Sequence, residues 1–425
     1  MASYDTANRG NHRLCLDFSF FLQHGIITAI KQFITKNEQI KEEKELQNLG
    51  FGMMRLPVQN GDPTDFDYAQ LNEMADTFLA AGYTYFDTSF VYHNGASETA
   101  TRKAVVERHP RDSFTVATKF PTFLLIPEEK IEAAFQSQLD KLGVEYIDYY
   151  LLHNIQNVYY DGYDGKGGIV KTTHLFDHAK KWKAEGKIRH LGISFHSSAK
   201  LLDRILTEHP EIEFVQIALN PIDWDSELVQ AGPCYEVIRR HGRKVVIMEA
   251  VKGGGLARLP EEAEALLKAA HPDWSIASWS LRFCLGLEDV IAVLSGMSTI
   301  EQMRDNIKTS DAAEVLTAED RKVLCEAMRI YRESAPIKQS EIGCCKGLLY
   351  HGVPVTAILQ AYSICQIQPD PGFSDDNNYL KNAIAEVEHV DFSKGLSKQT
   401  VITPDGADIT ALVENAVEWL TEHTF

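Results

Sequence analysis

The sequence has little cysteine, no excess of basic charge and no long apolar run. Its seven cysteines, Cys15, Cys234, Cys284, Cys325, Cys344, Cys345 and Cys365, follow no regular spacing in 425 residues. They do not read as a disulfide framework and point to reduced thiols in a cytoplasm. Acidic residues outnumber basic ones by 60 to 42, for a formal charge of −18. Such a surface repels nucleic acid and anionic membrane, and no basic cluster offsets it. No stretch of 18 apolar residues occurs, so no membrane span is expected. The nearest approach to a secretory signal runs from Leu14 to Phe33. Asp17, Gln23, His24 and Lys31 interrupt it and no small-residue cleavage site follows. Residues 1–45 are therefore expected to be an extension, poorly ordered or helical. Also missing are a zinc-type His/Cys/Glu spacing, an obvious Ser-His-Asp constellation, and a Gly-x-Gly-x-x-Gly after the first strand.

What is present is ordinary globular composition, 44% apolar and 24% charged, arranged in an alternating pattern. Short strand-type runs are "GFGMMRL", "YTYFDTS", "FTVATKF", "YIDYYLLH", "IRHLGISF", "FVQIALN", "KVVIMEA" and "VIAVLSG". Helical stretches of 3.6 periodicity lie between them, several stopped by glycine (Gly82, Gly143, Gly186, Gly242). Eight such units over about 260 residues predict an α/β fold, a (β/α)8 TIM barrel at 46–315. Beyond it, "TAEDRKVLCEAMRIYRESA" has a Thr cap and an acidic first turn. Residues 316–425 read as a mostly helical C-terminal region.

In such a barrel the chemistry sits at the C-terminal ends of the strands. Asp87 ends the second strand, Tyr92 follows in its loop, Lys119 ends the third and His153 the fourth. Taken singly each has a bland reading: a capping carboxylate, a solvated lysine, a structural histidine. Together on one face they suggest proton donation to a carbonyl oxygen. A cation beside a phenol makes its proton easier to release. A carboxylate holds that cation in place, and a histidine orients the substrate oxygen. A proton donor without nucleophile or metal implies that a cofactor brings the other half of the reaction.

These residues resemble the aldo/keto reductases over roughly Leu49 to Ala312. "YFDTSFVYHNGASE" is similar to the family's Asp-Thr-(x)3-Tyr-(x)4-Ser-Glu segment, and Lys119 and His153 fall in the remaining tetrad positions. The resemblance implies carbonyl reduction by NADPH, with NADH also accepted. Tyr92 would be the general acid, Lys119 and Asp87 would tune it, and His153 would orient the carbonyl. It also implies cofactor positions. Ser194 and Gln216 would meet the nicotinamide carboxamide, and Glu249 occupies a place where many members stack a tyrosine. Val251, Lys252, Gly253 and Gly254 would run along the pyrophosphate. Gly296, Met297, Ser298, Gln302 and Asn306 would hold the adenosine half. Phe195 stands where many members have Asn. The variant "MEAVKGG" resembles a bacterial branch that often carries a C-terminal ferredoxin-like module. With Cys344 as its third ligand, the others fall on Lys338, Glu341 and Leu348, so the module reads as a relic with its cluster lost. No iron–sulfur cluster and no other metal is expected. The chain after about Phe373 resembles nothing nameable.

Two further classes compete with an enzyme that reduces a small-molecule carbonyl compound. One is a cofactor-binding barrel that serves as a redox sensor or regulatory subunit. The other is an iron–sulfur electron-transfer protein. The long aromatic loop "NVYYDGYDGKGG" has two readings: Tyr159, Tyr160 and Tyr163 line the mouth of the site, or the loop packs on the C-terminal region.

Overall fold

The structure, a computed structural model, describes residues 48–163, 165–312, 315–367, 376–388 and 395–422. The expected extension at 1–45 lies outside them. Eight parallel strands close into a barrel: β1 (Leu49–Gly52), β2 (Tyr85–Asp87), β3 (Thr115–Pro121), β4 (Ile147–Ile155), β5 (Ile188–Phe195), β6 (Phe214–Ala218), β7 (Lys244–Met248) and β8 (Val290–Ser295). The ring closes where Leu49 pairs with Val293 and Phe51 with Ser295. Strands buried on both faces need no alternation, which is why runs such as Phe214–Ala218 in β6 and Val290–Ser295 in β8 are near-continuously apolar.

The barrel interior is filled by Tyr85, Ala117, Leu151, Phe214, Val246, Ala292 and Leu294, as expected of a packed core rather than a pore. Room for the largest of these comes from glycine. A Cβ at Gly192 would lie 2.5 Å from the Phe214 ring, and one at Gly50 would lie 2.7 Å from Leu294.

The helices follow the expected places with local departures. Gly143 ends the helix Glu128–Leu142 in a left-handed conformation, with its amide on Leu139 O at 2.8 Å. Residues 96–109 give only a short α-turn, Ser97–Thr101, and a wider turn, Arg102–Val106. The helix before β7 spans Ala231–Arg240 and is preceded by Gln230 in a left-handed conformation, φ 54°. The stretch from Glu262 to Gly286 is two helices, Glu261–Ala270 and Ile276–Leu285. Pro272 lies in the break, and Ser275 caps the second helix by accepting from Ser278 N.

The described residues of the C-terminal region are mostly helical. Ala318–Ser334 opens on a capping box between Thr317 and Asp320. It packs Leu324, Ala327, Met328 and Tyr331 into a shared core with Ala263, Leu267 and Trp279. A two-stranded hairpin, Leu349–Tyr350 with Val353–Pro354, precedes the helices Val355–Cys365, Asp376–Glu388 and Thr410–Glu422. In the stretch where the sequence suggests a relic module, Glu341 caps the short helix Gln339–Gly343, accepting from Lys338 N at 2.8 Å. Cys344 is exposed, whereas Cys345 and Cys365 are buried. Among the described residues, no helix is long and apolar enough to cross a membrane.

Candidate active site

Strand register brings the tetrad together. Asp87 pairs with Ala117, two residues before Lys119, and Pro121 pairs with His153. Side chains two apart on a strand share a face, so the upper ends of β2, β3 and β4 converge. Lys119 is wholly buried, with Nζ 2.5 Å from Asp87 Oδ1 and 2.8 Å from Thr88 O. It also donates to Tyr92 Oη at 3.4 Å and lies 4.9 Å from the Tyr92 ring centre. Tyr92 is half-buried and stands edge-on to His153, with ring centres 6.2 Å apart. His153 Nδ1 and Ser89 Oγ are 3.2 Å apart, and Thr122 Oγ1 donates to the His153 carbonyl.

The charges follow from burial and neighbours. Burial alone would lower the Lys119 pKa, but Asp87 and Tyr92 outweigh it and hold it above the ordinary lysine value. Burial pushes the Asp87 carboxyl up while Lys119 pulls it back. The two shifts oppose each other. A 2.5 Å contact between groups this buried favours the ion pair, because the neutral pair would forfeit its strongest interaction. His153 is held well below the ordinary imidazole range by burial first, then by Lys119 and His196. It is therefore a neutral imidazole near pH 7.

Several side chains outside the expected tetrad support it. Glu98 is wholly buried behind β3, where Oε1 accepts from Thr118 Oγ1 at 2.7 Å and from Gln138 Nε2 at 2.8 Å. Gln138 Nε2 also reaches the Lys119 carbonyl, 3.1 Å away. His93 locks the loop that carries Tyr92. Its Nε2 accepts from Leu56 N at 3.2 Å, and its Nδ1 donates to Pro63 O at 2.8 Å in the matching neutral tautomer. Burial lowers its pKa. The motif spacing marks Glu98; nothing in the local sequence marks His93.

The residues expected to hold a cofactor fall into two groups and one exception. Ser194 and Gln216 sit side by side on β5 and β6 at the barrel top. Ser194 Oγ shares a 3.0 Å hydrogen bond with His196 Nε2. Gln216 is buried with Oε1 unpartnered among the described residues, an acceptor suited to an amide N–H. Glu249, Val251, Gly253, Gly254, Gly296, Met297, Ser298, Gln302 and Asn306 line one cavity of about 340 Å³. Gly253 and Gly254 have φ of 62° and 99°, so this part of the lining is bare backbone. Thr299 caps the helix Ile300–Asp311 beside it, and the Gln302 amide accepts from Ser298 N at 2.8 Å. The exception is Lys252, whose ammonium lies 2.9 and 2.8 Å from the two oxygens of Asp223. It is absent from the cavity lining. Arg55, which falls within the first strand-type run of the sequence but lies beyond β1 in the structure, is part of that lining.

The aromatic loop divides. Tyr160 is fully buried, with its hydroxyl bonded to Glu208 and 3.0 Å from His209 Nε2. It therefore does not face the mouth, whereas Tyr163 is exposed. The helix Asp376–Glu388 packs against residues 157–160, which fits the loop-on-appendage reading. The same helix reaches β5, where Asn382 Nδ2 donates to His196 O at 3.1 Å.

Residues 48–327 match the profile of the Aldo/keto reductase family. The chain is 25% identical over 303 residues to the uncharacterized oxidoreductase YqkF of Bacillus subtilis, covering 66% of this chain and 92% of that protein. It is 30% identical over 261 residues to an aldo-keto reductase of Mycolicibacterium vanbaalenii, covering 60% and 83%. An aldo-keto reductase of Bacillus halodurans in its holo form superposes with a TM-score of 0.51 at 25% identity, over 67% of this chain and 92% of that one. A Klebsiella pneumoniae aldo-keto reductase solved with NADPH gives 0.52 at 19% identity, over 67% and 90%, a likeness of fold.

Proposed function

The chain belongs to the aldo/keto reductase family and is an oxidoreductase, and from that premise we propose that it reduces an aldehyde or ketone carbonyl to the alcohol, using NADPH. The single observation that carries this reading is the buried relay from Asp87 through Lys119 to Tyr92. It offers one phenolic proton, backed by a fixed cation, at the mouth of the barrel.

In this reading Tyr92 gives its proton to the carbonyl oxygen as negative charge builds there. Lys119 makes that proton easier to release, because a neighbouring cation favours the phenolate. Asp87 keeps Lys119 charged and in place. His153, neutral and donating a hydrogen bond, orients the carbonyl oxygen beside Tyr92. When bound, the nicotinamide supplies the hydride. Ser194 and the unpartnered Gln216 Oε1 would hold its carboxamide. The backbone of Val251–Gly254 would follow the pyrophosphate, and Gly296, Met297, Ser298, Gln302 and Asn306 the adenosine half. Lys252 would contribute by its backbone alone, its ammonium being held by Asp223. The barrel, 46–315, is the catalytic domain in this proposal, and the helices of 316–425 are an added body.

The test is a panel of aldehydes, ketones, sugars and steroids, assayed by NADPH oxidation while cofactor binding is titrated by fluorescence. Turnover on at least one carbonyl class is expected. Tight NADPH binding with no turnover across the panel would move the assignment to the sensor reading. No binding at all would remove both.

A further inference from the structure

Among the described residues, the cavity assigned above to the dinucleotide carries two carboxylates on its lining, Glu249 and Asp305, and one basic side chain, Arg55. A dinucleotide brings several negative charges to that lining. Lys252, whose chain neighbours Val251 and Gly253 line the cavity, is held by both oxygens of Asp223. Without Arg55 the lining would repel the ligand.

We infer that Arg55 receives a phosphate group of the dinucleotide and is the cation on which cofactor affinity depends. The inference rests on the proposed function, since it takes this cavity as the place of the dinucleotide. Three observations support it. Arg55 ends a 3-10 turn, Met53–Arg55, directly after β1, at the top of the barrel beside β8. Its root is tied to the opposite loop, because Ser298 Oγ donates to Arg55 O at 2.8 Å. Its stem lies against the Gly296 backbone, where an added Cβ would come within 3.1 Å of Arg55 Cδ and 3.2 Å of Cγ. The bare glycine is what lets the arm cross the loop. A guanidinium suits a phosphate because its planar N–H groups can bond two phosphate oxygens at once.

The experiment measures NADPH and NADH dissociation constants by fluorescence for the wild type, Arg55→Met, Arg55→Lys and Gly296→Ala. Arg55→Met is expected to weaken NADPH binding by about 10- to 100-fold, the range of a lost charge-assisted contact. Arg55→Lys should restore part of that. Gly296→Ala keeps the charge but crowds the arm, and should give a smaller loss. If NADH binding is spared, the 2′-phosphate is the group held; if it falls by the same factor, the diphosphate is. Either result supports the inference. Unchanged NADPH affinity in Arg55→Met overturns it while leaving the proposed function standing. A wild type that binds neither cofactor overturns the proposed function itself. Should Arg55→Met melt at low temperature, Gly296→Ala carries the test, and full NADPH affinity there counts against Arg55.

Discussion

Lys119 and Asp87, on neighbouring strands, form an ion pair of 2.5 Å from which solvent is excluded. Removing one member of such a pair leaves a buried charge without its partner, which costs about 3–5 kcal/mol. Lys119→Met should therefore lower stability by that order and abolish carbonyl reduction. The double variant Lys119→Met, Asp87→Leu should recover much of the stability and none of the activity. Urea unfolding and a turnover assay on the same preparations decide it. A double variant as unstable as the single would mean that the pair is not what Lys119→Met disrupts.

Tyr92→Phe removes the proposed proton donor and little else, since the ring beside Lys119 and His153 stays. NADPH affinity should hold while reduction falls by about 10²–10⁴-fold, the usual share of a general acid. Near wild-type turnover in this variant would sink the mechanism.

Stability should fall on the acid side through the buried histidines. Burial depresses the native pKa of His153 and His93 below the ordinary 6.5. The unfolded chain therefore takes up protons first as pH falls. The contribution is fully present above about 6.5 and is lost progressively below it, at up to about 1.4 kcal/mol per pH unit for each proton. His153→Asn should flatten the unfolding free energy against pH by close to one proton between pH 6.5 and 5. An unchanged slope would mean that the native site already accepts the proton there.

Gly192→Ala should destabilise the barrel although it adds a single methyl, because its Cβ would lie 2.5 Å from the Phe214 ring. Overpacking of this kind costs about 1–3 kcal/mol. Gly192→Ala combined with Phe214→Leu should recover part of the loss. Thermal melts of the two variants check this, and equal stability of Gly192→Ala and wild type would refute it.

The strand runs and most helices could be read from the sequence because their signals are local. A parallel barrel buries both faces of each strand, so "FVQIALN" and "KVVIMEA" announce themselves by composition. Gly143 marks a stop because only its own backbone needs the left-handed turn. Asp87, Lys119 and His153 were legible for a related reason: each is a polar residue at the end of an apolar run, and closing the barrel places such ends on one rim. What the tertiary structure alone decided are partnerships across long sequence distances. Tyr160 turns inward because His209 and Glu208 are there to meet it. Lys252 leaves the cavity because Asp223, 29 residues earlier, captures its ammonium. Arg55 enters the cavity because barrel closure sets β1 beside β8 and Gly296 leaves its path open. Periodicity and motif spacing carry one segment's preferences; a side chain's charge partner is chosen by the fold that brings two distant segments within hydrogen-bonding reach.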